Sequence, residues 1–368
     1  MTPTPADLAP EYIRRIAPYV AGKPIDELAR ELGLDAASIV KLASNENPRG
    51  ASPAVVAAVA SAAAELTRYP DSNGFALKDA IARRFGVDPR EIVLGNGSND
   101  ILELVSLAFL RPGDDAVYSR YAFVVYPLAT QARGARGIEV PARDFGHDLD
   151  AMRAAITPAT RVVFVANPNN PTGTWITPAS MEHFIASVPD DVIVVLDEAY
   201  NEYLAPQDDA NATRWIARFP NLIVSRTFSK AYGLAGLRVG YGVMHAAVAD
   251  IVNRVRPPFN VNALAQSAAI AALADIAYVD ASRALNREGM RVLAAGFDAL
   301  RLRHLPSHGN FIMVDVGDGL AVFQALLRAG VIVRPLANYG LPAWLRVTVG
   351  LPDENARLLA ALPDALGH

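Results

Sequence analysis

Short apolar runs rich in valine and isoleucine alternate with helical patterns through the middle of the chain. The clearest runs are Arg161 to Ala166, Asp191 to Leu196 and Asn221 to Val224, and a polar loop follows each of them. Continuous apolar strands are typical of a sheet buried on both faces, and strands that alternate with helices are typical of a largely parallel sheet. The pattern predicts an α/β fold whose polar loops meet at one edge of the sheet, where ligands bind in such folds.

The length of 368 residues exceeds one ordinary hydrophobic core, so we expect more than one domain. Residues 1–45 carry short helical patterns broken by prolines and are expected to form an arm that contributes to a small domain and contacts a second subunit. Residues 46–275 hold the strand runs and form the predicted large, cofactor-binding domain. Residues 276–368 form the predicted small C-terminal α/β domain.

Composition excludes several classes of protein. A net charge of −4 and a pI near 5.9, without a separate basic cluster, argue against a nucleic-acid partner. The chain contains no cysteine, which excludes disulfides, thiolate metal sites and a thiol nucleophile, and its six histidines lack metal-ligand spacing. No apolar stretch approaches the roughly 18–20 residues of a membrane span, and Met1 to Asp7 lack the features of a secretory signal. We therefore expect a cytoplasmic enzyme with no membrane partner and no metal.

A glycine-rich turn, Gly95 to Asp100, lies between an apolar strand pattern and a helical pattern. Free N–H groups at a helix N-terminus bind anions, so the turn is a possible phosphate cradle. A dinucleotide-binding turn would need a third glycine at the position of Asp100, which makes a nicotinamide cofactor a poor match. The alternative is a helix capped by an Asn or Ser side chain, with nothing bound.

Two further polar loops follow neighbouring strands. Asn167 to Gly173 contains two prolines and a glycine, which favour a rigid loop. Asp197 ends an apolar strand, where a partly desolvated carboxylate requires a cationic partner. Both loops are expected to position a ligand.

Lys230 follows the next strand and lies in a segment with hydroxyl side chains and Arg238. A lysine amine becomes a nucleophile near neutral pH when it is desolvated or lies near another positive charge. The alternative is a solvated lysine in a surface turn. Together, the anion cradle, Asp197 and Lys230 specify a ligand with a phosphate, a cationic ring nitrogen and an aldehyde, which describes pyridoxal 5'-phosphate.

An ordered set of short motifs runs through almost the whole chain and resembles the fold type I pyridoxal-phosphate aminotransferases, in particular the histidinol-phosphate aminotransferase family. The motifs are Ala17-Pro18-Tyr19, Ser44-Asn45-Glu46-Asn47-Pro48, Arg68-Tyr69-Pro70, Gly95-Asn96-Gly97-Ser98, Asn169-Asn170-Pro171-Thr172-Gly173, Asp197-Glu198-Ala199-Tyr200, Ser229-Lys230-Ala231, Gly236-Leu237-Arg238-Val239-Gly240, Gly309-Asn310-Phe311 and Leu345-Arg346-Val347-Thr348-Val349-Gly350. The resemblance implies a large domain with a mostly parallel sheet and a smaller C-terminal α/β domain. It also implies transamination of histidinol phosphate with 2-oxoglutarate, which gives imidazole-acetol phosphate and glutamate in histidine biosynthesis.

The resemblance assigns four catalytic residues. Lys230 is similar to the lysine that binds the cofactor's aldehyde and then moves a proton on the substrate. Asp197 is similar to the partner of the pyridine nitrogen. Asn170 and Tyr200 resemble the donors to the cofactor's phenolic oxygen.

The resemblance also implies how the rest of the cofactor is held. Tyr69 resembles a tyrosine that reaches the phosphate of the neighbouring subunit, which implies a homodimer. Phe123 lies where the family places an aromatic ring over the pyridine, although Tyr121 and Tyr126 are close enough to leave the register open, and a core position is an alternative. The implied phosphate cup consists of Gly97, Ser98, Asn99, Thr227, Ser229 and Arg238.

For the substrate, Arg346 resembles the arginine that binds the anionic group, and a bidentate guanidinium suits both a carboxylate and a phosphate. Tyr19, Asn45, Asn310 and Arg334 are expected to line the same pocket. A surface ion pair is the alternative for Arg334, and a strand-end turn is the alternative for Asn310.

Other functions share this scaffold. An aromatic amino-acid aminotransferase is one alternative, and a pyridoxal-phosphate decarboxylase acting on a substrate such as threonine phosphate is another. A protein that keeps the fold and only binds partners is a third reading.

Overall fold

The structure is a computed structural model that describes residues 4–19 and 22–367. Its strands are β1 (Val40–Lys41), β2 (Ile92–Gly95), β3 (Asp115–Ser119), β4 (Arg136–Val140), β5 (Thr160–Ala166), β6 (Ile193–Asp197), β7 (Leu222–Thr227), β8 (Gly240–Met244), β9 (Phe311–Asp315), β10 (Val331–Ile332), β11 (Arg334–Leu336) and β12 (Leu341–Thr348). Its α-helices are α1 (Glu11–Arg14), α2 (Ile25–Leu32), α3 (Pro53–Ala62), α4 (Phe75–Phe85), α5 (Ser98–Phe109), α6 (Val125–Ala132), α7 (Leu149–Ala154), α8 (Pro178–Ser187), α9 (Ala246–Val255), α10 (Ala263–Ala274), α11 (Ile276–Ala299), α12 (Gly319–Arg328) and α13 (Pro352–Leu366).

A seven-stranded sheet with the order β2-β8-β7-β6-β5-β3-β4 forms the centre of the larger part. β3 to β7 pair in parallel, and β8 runs antiparallel to both of its neighbours. Successive residues of β5 pack into different cores, since Val163 and Val165 join one hydrophobic cluster and Phe164 joins the other. The sheet is therefore buried on both faces, which confirms the predicted α/β fold with a mostly parallel sheet.

A smaller part contains the three-stranded antiparallel sheet β11-β12-β9. Its core includes Leu293 and Phe297 of α11, so the long helix packs with the C-terminal strands. The N-terminal segment joins this part as well, because β1 pairs in parallel with β10. The predicted domain boundaries at residues 45 and 275 stay a prediction.

The N-terminal arm contains a 3₁₀ helix, Pro5–Leu8, which is separate from α1 because Pro10 has no N–H with which to continue a helix. In the smaller part, β10 and β11 follow each other closely in the chain and belong to different sheets.

The polar loops predicted to meet do so because β5, β6 and β7 are parallel neighbours. Ala166 pairs with Asp197 and Asp197 pairs with Ser225, so these strands end at one edge of the sheet. No single helix in residues 4–19 and 22–367 is long and apolar enough to cross a membrane. α10 and α11 pass that test only as a pair bent by 78°, and α10 packs into the hydrophobic core of the larger part.

Candidate active site

A cavity of about 330 Å³ opens at the carboxyl ends of β5, β6 and β7, next to β12 of the smaller part. Most of the residues predicted to bind a cofactor or substrate line it. They are Tyr19, Asn45, Ser98, Asn99, Phe123, Asn170, Asp197, Tyr200, Thr227, Ser229, Lys230, Arg238, Arg334 and Arg346. Residues from the N-terminal segment to β12 thus converge on one space.

Lys230 lies three residues beyond the end of β7, is partly buried and lines the cavity. Its Nζ donates a hydrogen bond to the carbonyl oxygen of Ser44 at 3.0 Å. Burial, helped by the positive charges of Arg346 and Arg238 and opposed by Glu46, lowers the pKa of Lys230 to about 8. A substantial fraction of the amine is therefore uncharged near neutral pH and able to act as a nucleophile.

Asp197 is the last residue of β6 and is 5% exposed. Its Oδ2 accepts a hydrogen bond from the hydroxyl of Tyr126 at 2.9 Å, whereas its Oδ1 has no hydrogen-bond partner among residues 4–19 and 22–367. Burial raises the pKa of Asp197 to about 6, although the Tyr126 hydrogen bond, the nearby backbone N–H of Ala199 and the charge of Lys230 favour the carboxylate. A buried carboxylate with one unsatisfied oxygen at a cavity wall fits a cationic ligand group.

The glycine-rich turn forms one end of the cavity. Gly97 is the N-cap of α5 and has a φ of 87°, and no side chain caps this helix, so the alternative of an Asn or Ser cap is wrong. This φ is strained for any residue with a side chain, which explains why glycine suits the position, and a Cβ there would also lie 2.6 Å from Nη2 of Arg238. Arg238 donates from Nη1 to the Ser229 hydroxyl at 3.4 Å and to the Ala235 carbonyl at 3.0 Å. The free N–H groups of α5 and this guanidinium together fit an anion.

Arg346 connects the smaller part to the Asn170 loop. Its Nη1 donates to Oδ1 of Asn170 at 2.6 Å, and its Nη2 donates to the carbonyl oxygen of Ala43 at 2.7 Å. Burial lowers the pKa of Arg346 from its ordinary high value. Tyr200 accepts a hydrogen bond from Nδ2 of Asn45 at 2.8 Å. Burial raises the pKa of this phenol to about 12, although the charge of Arg346 opposes the rise.

Three predicted residues do not line the cavity. Asn310 is 2% exposed and lies behind the wall, where its amide donates to the carbonyl oxygens of Asn45 and Glu46. Its side chain supports the segment that carries Asn45, and a role for Asn310 in binding the substrate stays a prediction. Gly97 is the N-cap of α5 and lies beside Arg238. Tyr69 is 83% exposed and stacks on Phe259 with ring centroids 4.7 Å apart, outside the cavity of its own chain.

The three aromatic residues considered for ring stacking occupy different places. Phe123 lines the cavity. Tyr121 stacks on Phe145 at 5.8 Å, and Tyr126 is fully buried between Phe164 and Asp197. Phe123 is thus the one of the three that lines the cavity, and its stacking over a bound ring stays a prediction.

Sequence reasoning missed two features behind the site. The first is the hydrogen bond from Tyr126 to Asp197, which joins residues 71 positions apart and has no local signal. The second is a buried ion pair in which Nη2 of Arg226 lies 2.7 Å from Oε2 of Glu198, with both side chains under 5% exposed. The alternation of side chains along a strand could have indicated this pair. Glu198 follows Asp197 and Arg226 precedes Thr227, and both of these neighbours line the cavity. Glu198 and Arg226 are therefore both expected to point away from the cavity.

Similarity to known proteins identifies the family of this chain. Residues 37–362 match the family model of the class I and II aminotransferases. A histidinol-phosphate aminotransferase of Cupriavidus pinatubonensis is 59% identical over 361 residues, which cover 97% of this chain and 96% of the relative. The chain belongs to the histidinol-phosphate aminotransferase family.

Other members of the family are also similar to this chain. One from Pseudomonas fluorescens is 61% identical over 362 residues and covers 98% of each chain. The crystal structure of the family member from Sinorhizobium meliloti, in complex with pyridoxal-5'-phosphate, matches with a TM-score of 0.90 at 30% identity over 98% of both chains. The resemblance inferred from the ordered motifs and the predicted fold are both confirmed.

Proposed function

We propose that this aminotransferase uses pyridoxal 5'-phosphate to transfer an amino group from histidinol phosphate to 2-oxoglutarate. The observation that carries the proposal is the convergence on one cavity of the Lys230 amine, the Asp197 carboxylate and the anion cradle at Arg238. These groups suit the aldehyde, the ring nitrogen and the phosphate of that cofactor. The names of relatives about 60% identical to this chain support the substrate.

When bound, the cofactor supplies an aldehyde that takes up the amino group and a protonated ring that withdraws electrons from the substrate's α carbon. Asp197 would keep that ring nitrogen protonated. The N–H groups of Ser98 and Asn99, the hydroxyls of Thr227 and Ser229, and the Arg238 guanidinium would hold the phosphate. Phe123 would cover one face of the ring and exclude water from it.

Lys230 would bind the aldehyde and afterwards move a proton at its Nζ. A pKa near 8 suits this role, because the amine can both release and accept a proton near neutral pH. Asn170 and Tyr200 would donate to the phenolic oxygen. The amide oxygen of Asn170 already accepts from Arg346, so its NH₂ group is the part that can donate into the cavity.

Arg346 and Arg334 would bind the anionic groups of the two substrates. Both line the cavity, and the guanidinium of Arg334 lies 5.8 Å from the ring centroid of Tyr19. A cavity with two arginines suits a substrate that carries a phosphate or a second carboxylate. Asn45, predicted as a substrate residue, lies at the cavity wall beside Tyr200.

The direct test is to incubate the purified, cofactor-loaded protein with histidinol phosphate and 2-oxoglutarate. Glutamate should form, with a kcat/KM for histidinol phosphate above that for phenylalanine or tyrosine. Absence of glutamate would refute the proposal. A preference for phenylalanine would indicate an aromatic aminotransferase, and carbon dioxide release without a 2-oxo acid would indicate a decarboxylase.

We also propose a homodimer in which Tyr69 completes the phosphate site of the partner subunit. Its exposure and its position outside its own cavity support this arrangement. Lys230→Ala and Tyr69→Ala proteins should each be impaired, and unfolding and refolding the mixture should restore about a quarter of the wild-type activity, since one site in each mixed dimer is intact. No recovery in dimers shown to be mixed would contradict the shared site. The cytoplasmic location stays a prediction.

A further inference from the structure

Every polar group of Asn45 is bound, and the residue is only 1% exposed. Its backbone N–H donates to the Thr348 hydroxyl at 2.9 Å, and its carbonyl oxygen accepts from Asn310 at 3.0 Å. In the side chain, Oδ1 accepts from the Thr348 hydroxyl at 3.0 Å and Nδ2 donates to the Tyr200 hydroxyl at 2.8 Å. Asn45 adopts a left-handed conformation with a φ of 55°, which asparagine tolerates better than most residues.

These contacts fix the orientation of the amide. The Thr348 oxygen already accepts the backbone N–H of Asn45, so its own hydrogen needs an acceptor, and Oδ1 is the acceptor within reach. Turning the amide over would place NH₂ against the Thr348 hydroxyl and leave that buried hydrogen without a partner, which is costly. Nδ2 therefore faces Tyr200.

The orientation of the amide in turn fixes the hydrogen of Tyr200. An amide NH₂ group only donates, so the Tyr200 oxygen is an acceptor on the Asn45 side and its own hydrogen must point elsewhere. Tyr200 is 4% exposed and lines the cavity, and Nζ of Lys230 lies 5.9 Å from its ring centroid. The free direction for the hydrogen is the cavity.

We infer that Asn45 and Thr348 are positioning residues that direct the Tyr200 hydroxyl hydrogen into the cavity, toward an anionic oxygen of the bound ligand. The inference rests on the proposed function for the identity of that ligand. Asn45 would therefore affect the bound ligand by orienting Tyr200, and not by binding the substrate itself. Thr348 lies on β12, two residues beyond Arg346, so the strand that carries the substrate arginine also holds this hydrogen-bond chain.

The test is a spectroscopic pH titration of the cofactor-loaded protein. A hydrogen bond to an anionic oxygen favours the deprotonated form of the bound cofactor, so a weaker bond raises the pH at which its visible absorbance changes. Thr348→Val removes the hydroxyl at nearly constant volume and should raise that midpoint by about one pH unit, since a hydrogen bond of typical strength corresponds to about one unit. Thr348→Ser keeps the hydroxyl and should titrate like the wild type.

The same substitutions in a Tyr200→Phe protein distinguish an effect on the Tyr200 hydroxyl from an effect on the packing around the site. There, Thr348→Val should cause no further shift, because the residue through which it acts is absent. Asn45→Asp provides a second variant, since a carboxylate would accept the Tyr200 hydrogen and should raise the midpoint more than Thr348→Val does. Its negative charge alone also raises the midpoint, in either background. If Thr348→Val does not fold, the test is whether the rise caused by Asn45→Asp is smaller in the Tyr200→Phe background than in the wild type.

Three outcomes would overturn the inference. They are a wild-type midpoint in Asn45→Asp, the same shift in Thr348→Ser as in Thr348→Val, or an undiminished shift in the Tyr200→Phe background. In each case the wild type would still take up pyridoxal 5'-phosphate and form glutamate, so the proposed function would stand. Failure of the wild type to bind the cofactor would instead overturn both.

Discussion

Replacing Asp197 with asparagine should stabilise the cofactor-free protein while it abolishes the activity. Burial raises the pKa of this carboxyl from 3.8 to about 6. The folded protein thus holds the proton more tightly than the unfolded chain, so this group's contribution to stability falls as the pH rises from about 4 to about 6. Above about pH 6 the carboxylate is charged in both states, and burying that charge lowers the free energy of unfolding by the full amount. A rise of about two units corresponds to about 3 kcal/mol.

Asparagine cannot ionise and can still accept the Tyr126 hydrogen bond, so the variant avoids this cost. At pH 7.5 the free energy of unfolding of cofactor-free Asp197→Asn should exceed that of the wild type by about 3 kcal/mol, and at pH 5 by about half as much. The assay is urea unfolding at both pH values and at one fixed protein concentration. Pyridoxal 5'-phosphate should stabilise the wild type more than the variant, because asparagine cannot pair with the ring cation.

Asp115 provides a matched control of opposite sign. It is 2% exposed, but the Arg136 guanidinium, 2.7 Å away, lowers its pKa. A lowered pKa contributes stability above the unfolded value that is lost as the pH falls through the folded value. Asp115→Asn should therefore be less stable than the wild type at pH 7.5. Equal destabilisation by both variants, or an Asp197→Asn effect that does not change between pH 5 and pH 7.5, would refute the reasoning.

Three other substitutions test separate parts of the site, and a fourth on an exposed helix serves as a control. Lys230→Ala should reduce transamination at least about 100-fold, because a positioned proton-transfer group contributes about 10²–10⁴, and single-turnover kinetics with histidinol phosphate would measure the loss. Arg346→Lys should raise the KM for both anionic substrates about tenfold or more, since an ammonium cannot reproduce a bidentate guanidinium, and an unchanged KM for both would contradict the assignment. Arg226→Met leaves Glu198 buried without its guanidinium and should lower the free energy of unfolding by about 3–5 kcal/mol. Arg254→Met, which breaks an exposed helical ion pair, should change it by less than about 1 kcal/mol.

The position of the site was predictable because strand patterns are local. Apolar runs predict β5 to β7, and parallel pairing brings the residues that follow them to one edge. Asp197 and Lys230 both follow such runs, so their convergence required no knowledge of side-chain packing. Gly97 was predictable for a similar reason, since a glycine turn before a helical pattern marks an N-terminus.

The supporting contacts were not predictable because they join distant segments. Asn310 is 265 residues from the Asn45 carbonyl that it binds, and no periodicity indicates whether its side chain faces the cavity or the loop behind it. Tyr126 sits in an ordinary helical pattern, and only the packing of α6 against the sheet brings its hydroxyl to Asp197. Sequence patterns place residues on elements, whereas the partner of each polar group depends on how the elements pack.

The packing of the elements also determines the electrostatics of the site, because it buries Lys230 and Asp197. Burial moves Lys230 and Asp197 in opposite directions, lowering the pKa of the amine and raising that of the carboxyl, so each becomes easier to neutralise near physiological pH. Burial destabilises the charged form of both groups in the cofactor-free protein, and a ligand with an aldehyde near the amine and a cation near the carboxylate would offset both effects. Asp197→Asn should therefore gain stability in the cofactor-free protein and lose part of the free energy of cofactor binding. Measuring the free energy of unfolding with and without the cofactor in this variant tests whether the site is organised for that ligand.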